Sequence, residues 1–151
     1  MQPFTALLAA TLVFAPATQA LADATPIHVR KTNGCGCCLA WMEHLEENRF
    51  APTGENMFAG LLVHFKVDNG VPQRMVSCHT AEIEGYIVEG HVPAADIRRL
   101  LEERPVAVGL AVPEMPLGSP GMDQGHRTEA YDVFLIRNDG TTEIFAAYPG
   151  E

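Results

Sequence analysis

A chain of 151 residues is long enough for one domain with a buried core, and 47% hydrophobic content fits a globular protein. A formal net charge of −9, with only 10 Lys and Arg, argues against nucleic acid and anionic membrane surfaces as partners, because both attract cations.

The chain opens on an uncharged apolar run, Phe4–Ala15, followed by Pro16 and the small-residue sites Ala20-Leu21-Ala22 and Ala22-Asp23-Ala24. The run is shorter than the roughly 20 residues a membrane-spanning helix needs, and small residues behind it suit a signal peptidase. The expectation is a signal peptide over 1–24, cleaved after Ala22 or Ala24, and one exported domain over 25–151. The start, Met1-Gln2-Pro3, has only the terminal amine as positive charge. A buried N-terminal helix is the competing reading, disfavoured by Pro16 and the alanine-rich end. No second run of membrane length follows, so a soluble periplasmic protein is expected.

Ile27-His28-Val29-Arg30 alternates apolar and polar, as a half-buried strand does. After the turn residues Lys31-Thr32-Asn33-Gly34 come three cysteines in four positions, Cys35-Gly36-Cys37-Cys38. A helix is predicted from Cys38 to Asn48, with Leu39, Met42 and Leu45 as its apolar stripe and Glu43, Glu46 and Glu47 in water. Thiolate is the form that binds metal and attacks disulfides, and a helix N-terminus favours it. Successive helical residues turn by about 100°, so Cys35 and Cys38 should share one side of the opening turn while Cys37 points away. That splay implies bridging sulfurs and more than one metal ion. Trp41 and His44 fall off the stripe; His44 is read as a solvated or core-edge histidine and Met42 as a core methionine.

Phe50-Ala51-Pro52 reads as a short strand, and Asn56–Lys66 as a helix with Phe58, Leu61, Leu62 and Phe65 on one face. Asp68-Asn69-Gly70-Val71-Pro72 ends it. Ser77-Cys78-His79-Thr80 precedes a hairpin, Ala81–Ile83 and Tyr86–Glu89 around Glu84-Gly85. Gly90-His91-Val92-Pro93 leads to a helix that buries Ile97, Leu100 and Leu101 and stops at Pro105. Strand, Cys-bearing helix, strand, helix, hairpin, helix is the order of a thioredoxin-like α/β unit. In such a unit the loop before the hairpin packs beside the first helix's N-terminus, which would bring Cys78 and His79 to the other cysteines.

Ala111–Met122 is too rich in Gly and Pro for regular structure, and its methionines, Met115 and Met122, are thioether candidates as well as packing residues. His126 is read as a surface residue. Tyr131–Arg137 and Thr142–Ala147 flank Asn138-Asp139-Gly140, a hairpin signal, and the alternation of Val133 and Leu135 with Phe134 and Ile136 predicts two buried faces. No phosphate-cradling glycine loop and no distinctive Ser/His/Asp pattern is present.

All 4 cysteines lie beyond the export segment. Two structural disulfides are the plain reading of an exported chain. A Cys37–Cys38 bridge would strain the peptide between them, whereas Cys35–Cys38 can close and leave Cys37 to pair with Cys78 or stay free. Clustered thiolates select soft ions, Cu(I), Zn or iron–sulfur, and copper is put first. Two alternatives stand beside it: a thiol–disulfide or copper oxidoreductase using Cys35 and Cys38, for which Cys37 is superfluous, and a zinc site of three cysteines with His79.

Four segments together, Cys35–Cys38, Ser77–Thr80, Gly85–Pro93 and Gly109–Met122, make the chain resemble the CopG-like family of exported copper-resistance proteins over about Ile27 to Tyr148. The resemblance implies a thioredoxin-like fold carrying a cysteine-bridged copper cluster, with copper ions and other periplasmic copper-handling proteins as partners. Its thiol ligands would be Cys35, Cys37, Cys38 and Cys78, with Met115 and Met122 secondary. Thr53–Lys66 departs from the family by being more hydrophobic, which bears on local packing.

Overall fold

The computed structural model describes residues 24–150 apart from 124 and 126. The expected signal segment, save Ala24, and His126 therefore lie outside the described residues. The elements are β1 (Thr25–Thr32), α1 (Gly36–Glu47), β2 (Phe50–Met57), α2 (Ala59–Asp68), a 3-10 turn (Gln73–Met75), β3 (Thr80–Ile83), β4 (Tyr86–Glu89), α3 (Ala94–Glu103), β5 (Gly109–Ala111), β6 (Tyr131–Ile136) and β7 (Thr142–Tyr148). No helix among the described residues is long and apolar enough to cross a membrane.

The strands form one mixed sheet of seven in the order β2-β1-β3-β4-β5-β6-β7. β1 runs parallel to β2 and antiparallel to β3, β3 and β4 form the expected hairpin, β4 runs parallel to β5, and β5, β6 and β7 are antiparallel. Because successive strand residues point to opposite faces, the sequence divides its apolar residues between two layers. Ile27, Val29, Ala81, Ile83, Val88, Leu110, Val133 and Leu135 pack against Trp41 and Leu45 of α1 and Ile97 and Leu100 of α3. Ile87, Ala111 and Ile136 face the other way, onto Val71 and Met75. α2 packs near β1, where the Arg30 guanidinium lies over the Phe65 ring at 4.2 Å.

Several sequence expectations are corrected. The buried residues of α1 are Cys38, Trp41 and Leu45, while Leu39 is 50% exposed; Trp41 is a core residue whose Nε1–H donates to the Val92 carbonyl at 2.9 Å. β2 extends to Met57 and delays the second helix to Ala59. Phe58 precedes that helix and is 83% exposed, and Leu61 is exposed too, so only Leu62 of the apolar run is fully buried. A short strand, β5, spans Gly109–Ala111, so its last residue is regular where the irregular stretch Ala111–Met122 was expected to start. Leu101 is half buried at the edge of the core.

The sheet order brings one set of chain ends together. β1 ends beside the start of β3, and β3 starts beside the end of β4 through the pair Thr80 and Glu89. The loops after β1, after β4 and after β5, with the loop before β3, therefore meet at one end of the sheet.

Candidate metal centre

Cys35 is the N-cap residue of α1, extended at φ −72° and ψ 92°, and Gly36, Cys37 and Cys38 open the helix. No acidic residue stands in that first turn, so the unpaired N–H groups of the helix start favour negative charge on sulfur. Cys78 and His79 come from the loop before β3, and His91 follows β4.

The four cysteine sulfurs all lie within 4.8 Å of one another. Cys35 and Cys38 form a disulfide, and Cys37 and Cys78 are free. The Cys37 sulfur is 3.6 Å from that of Cys35 and 3.9 Å from that of Cys78, and the Cys38 and Cys78 sulfurs are 3.8 Å apart. The expected splay of Cys37 is thus not seen. Helical side chains lean toward the N-terminus, and at the first turn this lean carries the Cys37 sulfur back over Cys35.

Two imidazoles meet Cys78 from the core side. His79 Nδ1 lies 3.2 Å from its sulfur and His91 Nε2 3.1 Å. His91 Nδ1 faces the Pro120 carbonyl at 2.8 Å; a carbonyl only accepts, so Nδ1 carries the proton and Nε2 presents a lone pair to Cys78. His79 is sandwiched by Trp41, ring centroids 4.3 Å apart, and by the edge-on His91 ring at 4.9 Å. Its Nε2 is buried without a hydrogen-bond partner. Burial holds both rings below the ordinary histidine pKa, His79 well below it, with His91 and Lys66 adding to the effect there. Burial, followed by the nearby Cys37, pushes the Cys78 thiol up to about 12. Burial thus favours the neutral thiol at Cys78 and neutral rings at His79 and His91, and a soft cation is what would draw the Cys78 thiolate out.

The loop after β5 closes the outer side. Met115, Met122 and Asp123 line a shallow hollow with Gly36, Cys37 and Ala40, so both methionines lie toward the Cys37 side of the cluster. Gly121, at φ +82°, lets this loop touch α1: a Cβ there would stand 2.6 Å from the Trp41 nitrogen and 2.8 Å from the Cys37 carbonyl. His44 stands apart from the cluster, its Nε2 accepting from the Ala94 N–H at 3.1 Å.

Sequence reasoning missed His91. Its one signal was position, in Gly90-His91-Val92-Pro93 directly after a strand that pairs with the Cys78 segment. The donor groups, Cys35, Cys37, Cys38 and Cys78 on one side and Cys78, His79 and His91 on the other, contain sulfur and imidazole and no carboxylate. That composition fits a soft or borderline ion and not Mg or Ca.

A family model described as "Protein of unknown function, DUF411" matches residues 75–122, the stretch that carries Cys78, His79, His91, Met115 and Met122. No curated protein matches the chain. Two solved structures do. Form 1 of a copper resistance protein copG is 46% identical with a TM-score of 0.79, the match covering 85% of this chain and 100% of that one. Form 2 is 46% identical with a TM-score of 0.78, covering 84% and 100%.

Proposed function

This chain belongs to the family of the copper resistance protein CopG, and from that premise we propose that it binds Cu(I) through clustered cysteine thiolates and sequesters it or hands it on. The observation that carries the reading is the convergence of four sulfurs within 4.8 Å from two segments 40 residues apart, Cys38 and Cys78. Reduction of the Cys35–Cys38 disulfide frees two of these sulfurs as donors, and Cys37 and Cys78 supply the other two. His91, held by the Pro120 carbonyl, and His79 are the nitrogen donors nearest Cys78, and Met115 and Met122 flank the open side. Copper is the cargo here, and the chain's part is to offer soft donors at a helix N-terminus with few rotamers left to fix.

The proposed setting is the periplasm, after removal of a signal peptide over 1–24. The apolar run Phe4–Ala15 and the small residues before Thr25 support it. The domain over 25–151 is proposed to be thioredoxin-like, supported by the order β2-β1-β3-β4 with a cysteine-bearing helix directly after β1. Other periplasmic copper-handling proteins are the proposed partners.

The test is Cu(I) uptake by the reduced, purified protein against a chelator of moderate affinity. Binding of copper with thiolate-to-copper absorption in the ultraviolet is expected. Serine at Cys37 or Cys78 should weaken it by about tenfold or more. Failure of the reduced protein to compete for Cu(I) would end the proposal. Because sulfur and imidazole also suit zinc, Cu(I) should displace bound Zn and not the reverse.

A second reading is favoured by the Cys35–Cys38 disulfide itself, which sits at a helix N-terminus as a redox-active pair would. Metal-free turnover of insulin or a mixed disulfide would support a thiol–disulfide oxidoreductase, and its absence would leave the copper reading alone.

A further inference from the structure

Beneath the cluster lies an ion pair that the site as described does not use. Lys66, in the last turn of α2, is 2% exposed and Glu89, at the end of β4, is 0% exposed. The Glu89 carboxylate accepts from Lys66 Nζ at 2.6 Å and from the Ser77 N–H at 2.6 Å through Oε1, and from the Thr80 hydroxyl at 2.5 Å through Oε2. Lys66 Nζ also donates to Thr80 Oγ1 at 2.7 Å. One carboxylate thus grips the residue before Cys78 and the second residue after it, and a cation from a different helix holds that carboxylate.

Buried ion pairs are poor stabilisers. Taking both charges out of water costs about as much as their attraction returns, and apolar residues of similar volume often serve stability as well or better. Packing alone therefore gives little reason for a lysine and a glutamate here. The geometry gives one. The loop Ser77-Cys78-His79-Thr80 leaves a 3-10 turn and enters a strand, so its own backbone does not fix the cysteine's direction; the side-chain bonds to its two ends do.

We propose that Lys66 and Glu89 are positioning residues, a buried pair that fixes the loop carrying Cys78 and so sets how tightly the site holds a soft cation. The proposal rests on the copper reading for its cargo and on the geometry for the positioning. Neither residue touches the Cys78 sulfur; they act through Ser77 and Thr80. The second anchor of the same loop is Gly90, whose N–H donates to the His79 carbonyl at 3.0 Å. At φ +73° it packs where a Cβ would lie 2.6 Å from Ser77 Cβ.

The experiment compares two double variants in the full chain. Lys66→Met with Glu89→Gln removes both charges but keeps an amide oxygen for the Ser77 N–H and an amide N–H for Thr80. Lys66→Met with Glu89→Leu removes the grip as well. Two readouts are taken on reduced protein whose fold is checked by circular dichroism: the alkylation rate of Cys78 relative to Cys37, by peptide mass mapping, and Cu(I) competition with its thiolate absorption spectrum. The leucine double variant should change the Cys78-to-Cys37 ratio and weaken Cu(I) by about tenfold, and the glutamine double variant should restore both to within about threefold, the size expected when an outer-shell partner is lost or kept.

Wild-type ratio and spectrum in a folded leucine double variant would overturn the proposal. So would a glutamine double variant as impaired as the leucine one, since shape without charge would then not suffice. Should the leucine variant not fold, Thr80→Val, which drops one grip and keeps the volume, decides: an unchanged ratio refutes positioning and a shifted one supports it. If the wild type itself takes up no Cu(I), the copper reading falls, while the alkylation ratio still judges the positioning.

Discussion

At the scale of single residues, His44 shows how a side chain beside the site serves the fold. Its Nε2 accepts the Ala94 N–H, one of the donors that α3 leaves unpaired at its start. Only a neutral ring can do this. Burial holds the His44 pKa below its ordinary value, against the opposing pull of Glu47 and Asp123. An unfolded histidine takes up its proton near pH 6.5, while the folded ring resists until lower pH. The unfolded state thus binds more protons as pH falls through that range, and stability falls with it. His79 and His91 shift in the same direction, so the loss is shared. In metal-free protein the urea midpoint should drop between about pH 7 and pH 5.5. His44→Gln, whose amide oxygen still accepts, should lose part of that drop. A variant with the wild-type pH dependence would remove His44 from this account.

At the scale of elements, α1 and the loop after β5 are held together by a missing side chain. Gly121→Ala would press a methyl group against the backbone of Trp41 and Cys37 at a positive φ. Neither the helix nor the loop can yield cheaply, and a cost of roughly 1–3 kcal/mol is expected. A lower melting temperature would be the signature, joined, on the proposed copper reading, by weaker Cu(I) retention as Met122 is pushed from the hollow. A variant that melts and binds like the wild type would show that the loop finds another seat.

The elements differ in how plainly the sequence declares them. The hairpin at Glu84-Gly85 was legible from two strand-like runs flanking a glycine, and Gly85 takes φ 87°, while Glu84 at φ 47° gave no such signal. α1 was legible as a helix but not in its facing. Leu39, Met42 and Leu45 form a valid stripe, yet so do Cys38, Trp41 and Leu45, and only the sheet chooses between them. β2 stayed hidden beyond Pro52 because it is an edge strand whose residues from Thr53 to Asn56 are exposed, so no alternation marks it. β5 is three residues long, too short for any period.

At the scale of the whole molecule, the candidate site was legible where chemistry is dense and obscure where it depends on the sheet. Cys35, Cys37 and Cys38 announce themselves. Cys78 joins them only if the segment before the hairpin lies beside the helix start, which the order of elements implied and the strand pairing delivers. His91 could not be told from any loop histidine, since its neighbour Cys78 is 13 residues away. Lys66 looked like the end of an amphipathic helix, because nothing in a linear pattern says that a lysine will meet a glutamate 23 residues on.

The Cys35–Cys38 bridge has a consequence that reaches beyond geometry. With it closed, the chain offers 2 free sulfhydryls, Cys37 and Cys78; with it open, all 4. The two forms differ by a pair of electrons and the protons that travel with them. An anaerobic count with a chromogenic thiol reagent in denaturant should therefore give 2 per chain as isolated and 4 after mild reduction. Any other starting count would mean that the bridge is absent or that the remaining pair has joined. On the proposed copper reading, the number of soft ions a chain holds then depends on its oxidation level, and dissolved oxygen becomes a variable to fix before two loadings are compared.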